Sequence, residues 1–121
     1  KFQVAADYYE QALALSEEVG DREGVGVTLG NLGNVYSSSG EPEKGINYLE
    51  QSLSIAQEIG DQEGEGVVFV NLGSIYLNLG EHEKAVENFE HGVAILREIK
   101  SPMTEYFQQR LDIARQKLNE E

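Results

Sequence analysis

An all-α fold of about six helices, stacked as antiparallel hairpins, is predicted by three features of the sequence. The chain repeats itself: residues 11–50 laid on 51–90 give 18 identities without a gap. Glycine recurs at Gly20, Gly40, Gly60 and Gly80, every twentieth residue. Between these glycines the apolar residues follow the period of a helix. No single unit of such an array buries its own apolar face, so neighbouring units must stack.

Taken in order, the first helix is expected over 2–18, with Ala6, Tyr9 and Leu13 on its core face. Gly20 closes it, because glycine takes the left-handed conformation that ends a helix at little cost. Asp21 is a good N-cap for a second helix over 22–38, whose stripe is Val25, Leu29, Leu32 and Tyr36. Pro42 suits the first position of a third helix, 42–58, with Ile46, Leu49, Leu53 and Ala56 inward. Asp61 caps a fourth over 62–78, with Phe69, Leu72, Tyr76 and Leu79 as its stripe. The fifth, 82–98, presents Val86, Phe89, Val93 and Leu96. Ser101-Pro102 opens the sixth, 102–118. The second helix also carries Gly24, Gly26, Gly30 and Gly33, each costing about 1 kcal/mol relative to alanine. That helix needs neighbours to exist.

Composition narrows the function. There are 22 acidic residues against 9 basic ones, a net charge of −13. Nucleic acid is excluded as a partner, since phosphate binding calls for clustered Lys and Arg. Anionic membrane surfaces are disfavoured on the same ground, and no apolar run is long enough to span a bilayer. A protein or peptide partner, neutral or basic, is permitted. An acidic surface also serves solubility alone. The sequence has no cysteine, so disulfides, thiolate zinc sites and catalytic thiols are out. The expected location is cytoplasmic. The chain opens Lys1-Phe2-Gln3 without a visible signal peptide and reads as a fragment of a longer protein.

The repeated residues resemble the tetratricopeptide repeat. Leu29, Leu32-Gly33 and Tyr36 match its first helix, and Gly45, Leu49 and Ser52 its second. One unit on, the matches are Phe69, Leu72-Gly73, Tyr76, then Ala85, Phe89 and Gly92. Ala5, Tyr9 and Ala12 look like the second helix of a preceding unit. The period of forty is similar to the variant in kinesin light chains and G-protein signalling modulators. The resemblance implies a right-handed superhelical stack forming a single domain over 1–121. It holds a partial repeat (1–19), two repeats (20–59 and 60–99) and a C-terminal capping helix (101–119). It further implies that Gly33 and Gly73 face Gly45 and Ala85 across close helix contacts. The last helix departs from register: Gln109, Asp112 and Gln116 stand where the repeat has core residues. Its apolar stripe is Met103, Phe107, Leu111, Ala114 and Leu118, as for a rotated cap.

First helices of this family line a concave groove. There the candidate peptide-binding residues are Val27, Asn31, Asn34 and Ser38, then Val67, Asn71, Ser74 and Asn78. Each set spaces i, i+4, i+7, i+11, which is one helix face. Asparagine is a poor helix former, so its recurrence mid-helix invites explanation. Its amide offers both donor and acceptor to a peptide backbone. Solvated amides on an ordinary polar face are the competing reading. Residues 23–43 and 63–83 contain no Lys or Arg, which argues against a clamp for a C-terminal carboxylate. Glu23 and Glu63 favour a basic or neutral ligand.

Catalysis is not expected, nor a cofactor or metal. Gly24-x-Gly26-x-x-x-Gly30 lacks the strand and spacing of a nucleotide fingerprint. His82 and His91 are not at ligand spacing and are expected at the surface. Tyr8, Tyr48 and Tyr106 are expected as inter-helix contacts rather than partner anchors. Besides a peptide-binding scaffold, two readings stand. One is a homodimer through uncovered end helices, since the first helix lacks its hairpin partner. The other is a peptide-sensing regulatory segment of a larger signalling protein.

Overall fold

Glycine and aspartate divide the chain as the spacing predicts. The computed structural model describes residues 1–121 as six helices: α1 Phe2–Val19, α2 Arg22–Ser38, α3 Pro42–Ile59, α4 Gln62–Asn78, α5 His82–Glu98 and α6 Thr104–Asn119. All four spaced glycines take positive φ, between 73° and 94°. The Asp21 and Asp61 carboxylates accept from the Gly24 and Gly64 amides at 2.9 Å. Each satisfies a donor that the helix cannot.

Lys100 stands where the next glycine of the series would fall. It has φ 58° and is the only non-glycine residue with positive φ. An L-residue pays about 1–2 kcal/mol in that region, and glycine returns part of this through unfolded-state entropy. Lys100→Gly is therefore expected to raise stability by about 0.5–1 kcal/mol, read as a higher urea midpoint at unchanged slope.

The chain forms two compact units, Lys1–Gly64 and Glu65–Glu121. In the first, α2 runs antiparallel to α3, because close approaches advance along one helix as they retreat along the other. A methyl group on Gly26 would stand 3.0 Å from Ile55, one on Gly30 3.3 Å from Ser52 Oγ, and one on Gly33 2.7 Å from Leu49 and 2.9 Å from the Gly45 carbonyl oxygen. Glycine lets the two backbones meet. Ser52 uses the proximity to donate to the Gly26 carbonyl at 2.7 Å, buried. The other side of α2 receives α1: Ala6, Leu32 and Tyr36 are buried together, with Tyr9, Leu13 and Val35 against them.

The second unit repeats the α2–α3 scheme. Gly66 meets Ile95 and Leu96, Gly73 meets the Phe89 ring, and Gly92 meets Val70 and the Gly66 carbonyl. A cluster of Val70, Leu77, Ala85, Phe89, Val93, Leu96, Leu111 and Ala114 forms its core. The rotated register of α6 is as expected: Leu111 and Ala114 are buried, and Phe107 lies against Phe89 with ring centroids 6.4 Å apart. Gln109, Asp112 and Gln116 face solvent.

Four expectations need correction. The buried set of α4 is Gly66, Val68, Val70, Leu72, Gly73, Ile75 and Leu77. It runs round the helix rather than down the stripe Phe69, Leu72, Tyr76, Leu79. Phe69 and Tyr76 are only half-buried, and Leu79 is 39% exposed just beyond the helix end. Its apolar residues are spread over more than one side, so a single stripe cannot be read from them. Second, α6 starts at Thr104, because Ser101 organises a turn first. Its Oγ accepts from the Met103 amide and its carbonyl from Thr104 Oγ1. Third, Gly73 is met most closely by the Phe89 ring at 2.8–3.0 Å rather than by Ala85. Fourth, of the tyrosines expected as inter-helix contacts, Tyr8 and Tyr106 are exposed by 67% and 59%. Tyr48 does bridge helices. It stacks on Tyr36 at 5.6 Å, and its hydroxyl donates to Glu10 at 3.1 Å. Burial first, then the Glu10 hydrogen bond, pushes its ionisation upward, so this contact persists until alkaline pH and is lost only as pH rises through that raised value.

Candidate functional site

Three sides of α2 are distinguishable. One, through Gly26, Gly30 and Gly33, meets α3. A second, through Leu32 and Tyr36, meets α1. The third carries Val27, Asn31, Asn34 and Ser38. Val27 is 56% exposed, Asn34 and Ser38 are exposed, and Asn31 is half-buried. On α4 the equivalent residues are Val67, Asn71 and Ser74, half-buried, and Asn78, exposed.

The two faces differ in how their polar groups are engaged. Ser74 Oγ donates to the Val70 carbonyl of its own helix at 3.0 Å, a back-bond open to serine within a helix. The side chains of Asn31, Asn34, Asn71 and Asn78 make no hydrogen bond within the protein, and no buried polar side-chain atom is left without a partner. Their side-chain amides therefore keep their full donor and acceptor capacity. Val27 beside them offers an apolar contact.

The charges around α2 are tied up elsewhere. The Arg22 guanidinium makes two hydrogen bonds to the Glu58 carboxylate, at 2.9 and 3.1 Å, joining the start of α2 to the end of α3. That hydrogen bond first, and the charge second, holds Glu58 below the usual carboxylate range. The pair thus contributes above the usual carboxylate titration and fades as pH falls through the lowered value. Both side chains are exposed, so its worth is small. Lys44 Nζ sits 4.1 Å over the Tyr36 ring. Glu23 and Glu63 remain exposed.

The histidines divide. His91 is exposed and stacks on Phe69 at 5.0 Å. His82 is half-buried against the Glu121 carboxylate. No group of three or more His, Asp or Glu side chains comes together that could hold a metal ion, and no helix is long and apolar enough to cross a membrane.

An uncovered first helix is expected from the sequence, and the structure names the residues of its open face. Val4, Tyr8, Leu15 and Val19 are 73%, 67%, 59% and 67% exposed, and their spacing puts them on a single face of α1. The second apolar stripe was there to be read, beside the core stripe Ala6, Tyr9, Leu13.

Paired antiparallel helices with glycine at each crossing, repeated every forty residues, define a helical-repeat interaction module. The sequence matches the tetratricopeptide repeat over residues 1–58 and again over 27–98, and the chain belongs to that family. Repeats of this family bind proteins or peptides and are generally non-catalytic scaffolds. Among solved structures, BtubC (BKLC) from P. vanneervenii is similar at 21% identity and a TM-score of 0.87, over 98% of this chain and 50% of that one. A Podosopora anserina protein with nearly identical TPR-like repeats of kinesin light chain type is 23% identical, with a TM-score of 0.82, over 98% of this chain and 59% of that one. The signal transduction ATPase with numerous domains (STAND) from Pyrococcus horikoshii, which has a tetratricopeptide repeat sensor, is 27% identical with a TM-score of 0.79. There the match covers 94% of this chain and 17% of that one. The chain thus spans about half the length of the first of these proteins. No curated protein matches it.

Proposed function

We propose that the chain holds a peptide segment of a partner protein along the open faces of its first helices. Val27, Asn31, Asn34 and Ser38 act on α2, and Val67, Asn71, Ser74 and Asn78 on α4. The single observation that carries this is the state of Asn31 and Asn71. Both amides sit half-buried in mid-helix with no partner in the protein, at positions where asparagine weakens the helix. A peptide backbone presents alternating donors and acceptors, and the amide answers both. The ligand is neutral or basic, because the arms flanking these faces supply Glu23 and Glu63 and no free cation. A cytoplasmic, reducing setting suits a chain with no cysteine.

A panel of neutral, basic and acidic peptides, screened by fluorescence anisotropy, tests this. Neutral or basic members should bind, and the double substitution Asn31→Ala, Asn71→Ala should abolish that binding. The melting temperature should stay level or rise slightly, because alanine is the better helix former. Affinity retained in the double variant would remove the reading. The likeness to the STAND sensor repeats favours a second, wider role, in which the same faces sense a peptide for a larger signalling protein.

A further inference from the structure

The face of α2 proposed to hold a peptide begins one turn before Val27. Glu23, Val27 and Asn31 stand four residues apart, and Glu63, Val67 and Asn71 repeat the same three on α4. Further along, the two faces differ: Asn34 and Ser38 on α2 answer to Ser74 and Asn78 on α4. On α2, Glu23 is exposed, Val27 is 56% exposed and Asn31 is half-buried. Glu63 is likewise exposed, with Val67 and Asn71 half-buried. Neither glutamate meets a cation of the chain. The one arginine beside Glu23, Arg22, makes both its hydrogen bonds to Glu58, and residues 23–43 and 63–83 hold no Lys or Arg.

Building on the peptide-holding role of these faces, we infer that each selects an extended, basic segment whose side chains run cation, apolar, small at alternate positions. Residues four apart on a helix advance about 6.0 Å along its axis. Alternate residues of an extended chain advance about 6.6 Å. Side chains on one side of such a strand therefore fall on Glu23, Val27 and Asn31 in turn, with a mismatch of about 1 Å over the three contacts. A Lys or Arg pairs with the carboxylate. A branched aliphatic covers Val27. A glycine or alanine lets the Asn31 amide reach the N–H and C=O of the strand itself. A helical partner matches the advance but keeps its backbone groups in its own hydrogen bonds, so it leaves the amide unanswered. An acidic segment meets Glu23 with like charge, on a protein of net charge −13.

The probe is a labelled, capped peptide of sequence Ser-Lys-Thr-Val-Thr-Gly-Ser. It is made in both chain directions, and the tighter one is carried forward in fluorescence anisotropy at low salt. Saturable binding is expected. Glutamine in place of the peptide's lysine should weaken it about three- to fivefold, the most that an exposed ion pair supplies. Glu23→Gln with Glu63→Gln in the chain should cost the same for the lysine peptide and leave the glutamine peptide unmoved, so that the two changes are coupled. One threonine inserted between Lys and Val turns the lysine to the far side of the strand and should cost as much as removing it. An insertion tolerated without loss, or charge changes that simply add, overturns the inference. If the peptides still bind and Asn31→Ala with Asn71→Ala still abolishes that binding, the peptide-holding role stands and only the selectivity falls. The same holds if this probe fails while other neutral or basic peptides bind. If no neutral or basic peptide binds, both fall.

Discussion

Phe89→Ala is expected to destabilise the second unit by about 3–5 kcal/mol. The ring is fully buried at the middle of α5. It lies against Gly73 on one side and Phe107 on the other, so truncation removes contacts to α4 and to α6 at once. The cavity is flanked by Val70, Leu77 and Leu111, whose backbones are fixed by their own helices and can collapse only partly. Urea denaturation followed by circular dichroism reads the effect as a fall in midpoint. Tyr106, which touches Phe107 but is 59% exposed, serves as the control. Tyr106→Ala should stay within about 0.5 kcal/mol of the parent.

Gly73→Leu acts on the same contact from the other side. A methyl on Gly73 already falls 2.8 Å from Phe89 Cδ1, and a leucine must displace the ring or push the helices apart. Overpacking of this kind costs about 1–3 kcal/mol. The two substitutions are coupled, which makes the assignment stringent. With the ring gone, leucine at 73 has space to enter, so the double variant should be less destabilised than the sum of the singles by about 0.5–3 kcal/mol. Strict additivity would mean that Gly73 and Phe89 do not share one space, and the packing described for α4 on α5 would be wrong.

What could be read in the sequence follows from which interactions are local. Helix ends depend on a cap and a left-handed residue, both carried by the chain at that point. Gly20, Asp21, Gly60 and Asp61 were legible for that reason, while Lys100 was not, because a lysine at positive φ has no signature of its own. The buried faces of α2 and α5 were legible because one side is apolar and the other polar. The α4 stripe was misread because Val68, Val70, Ile75 and Leu77 are buried as well, beyond the side that the expected stripe marks. Gly73 was placed correctly at a close contact, although the Phe89 ring rather than Ala85 comes nearest to it. The repeat pairs small residue with small, whereas a ring one turn along fills the same gap. The faces proposed to bind a peptide rest on spacing, and spacing states which residues share a face without stating what meets it. The exposed stripe of α1 shows the limit: the uncovered helix was anticipated, but Tyr8 was assigned to packing because aromatics in repeats usually have that role.

The uneven distribution of glycine has a kinetic consequence. α2 and α4 each hold several glycines that weaken an isolated helix, whereas α3 and α5 hold one apiece. Early in folding, the glycine-poor helices should be the ones that persist, with their glycine-rich neighbours condensing onto them as each crossing closes. The contacts described join helices adjacent in sequence, so the loops closed are short and the contact order low, a topology that folds in microseconds to milliseconds. Stopped-flow measurements should then show substitutions in α3 and α5 slowing refolding, while glycine positions in α2 and α4 register mainly in the unfolding rate.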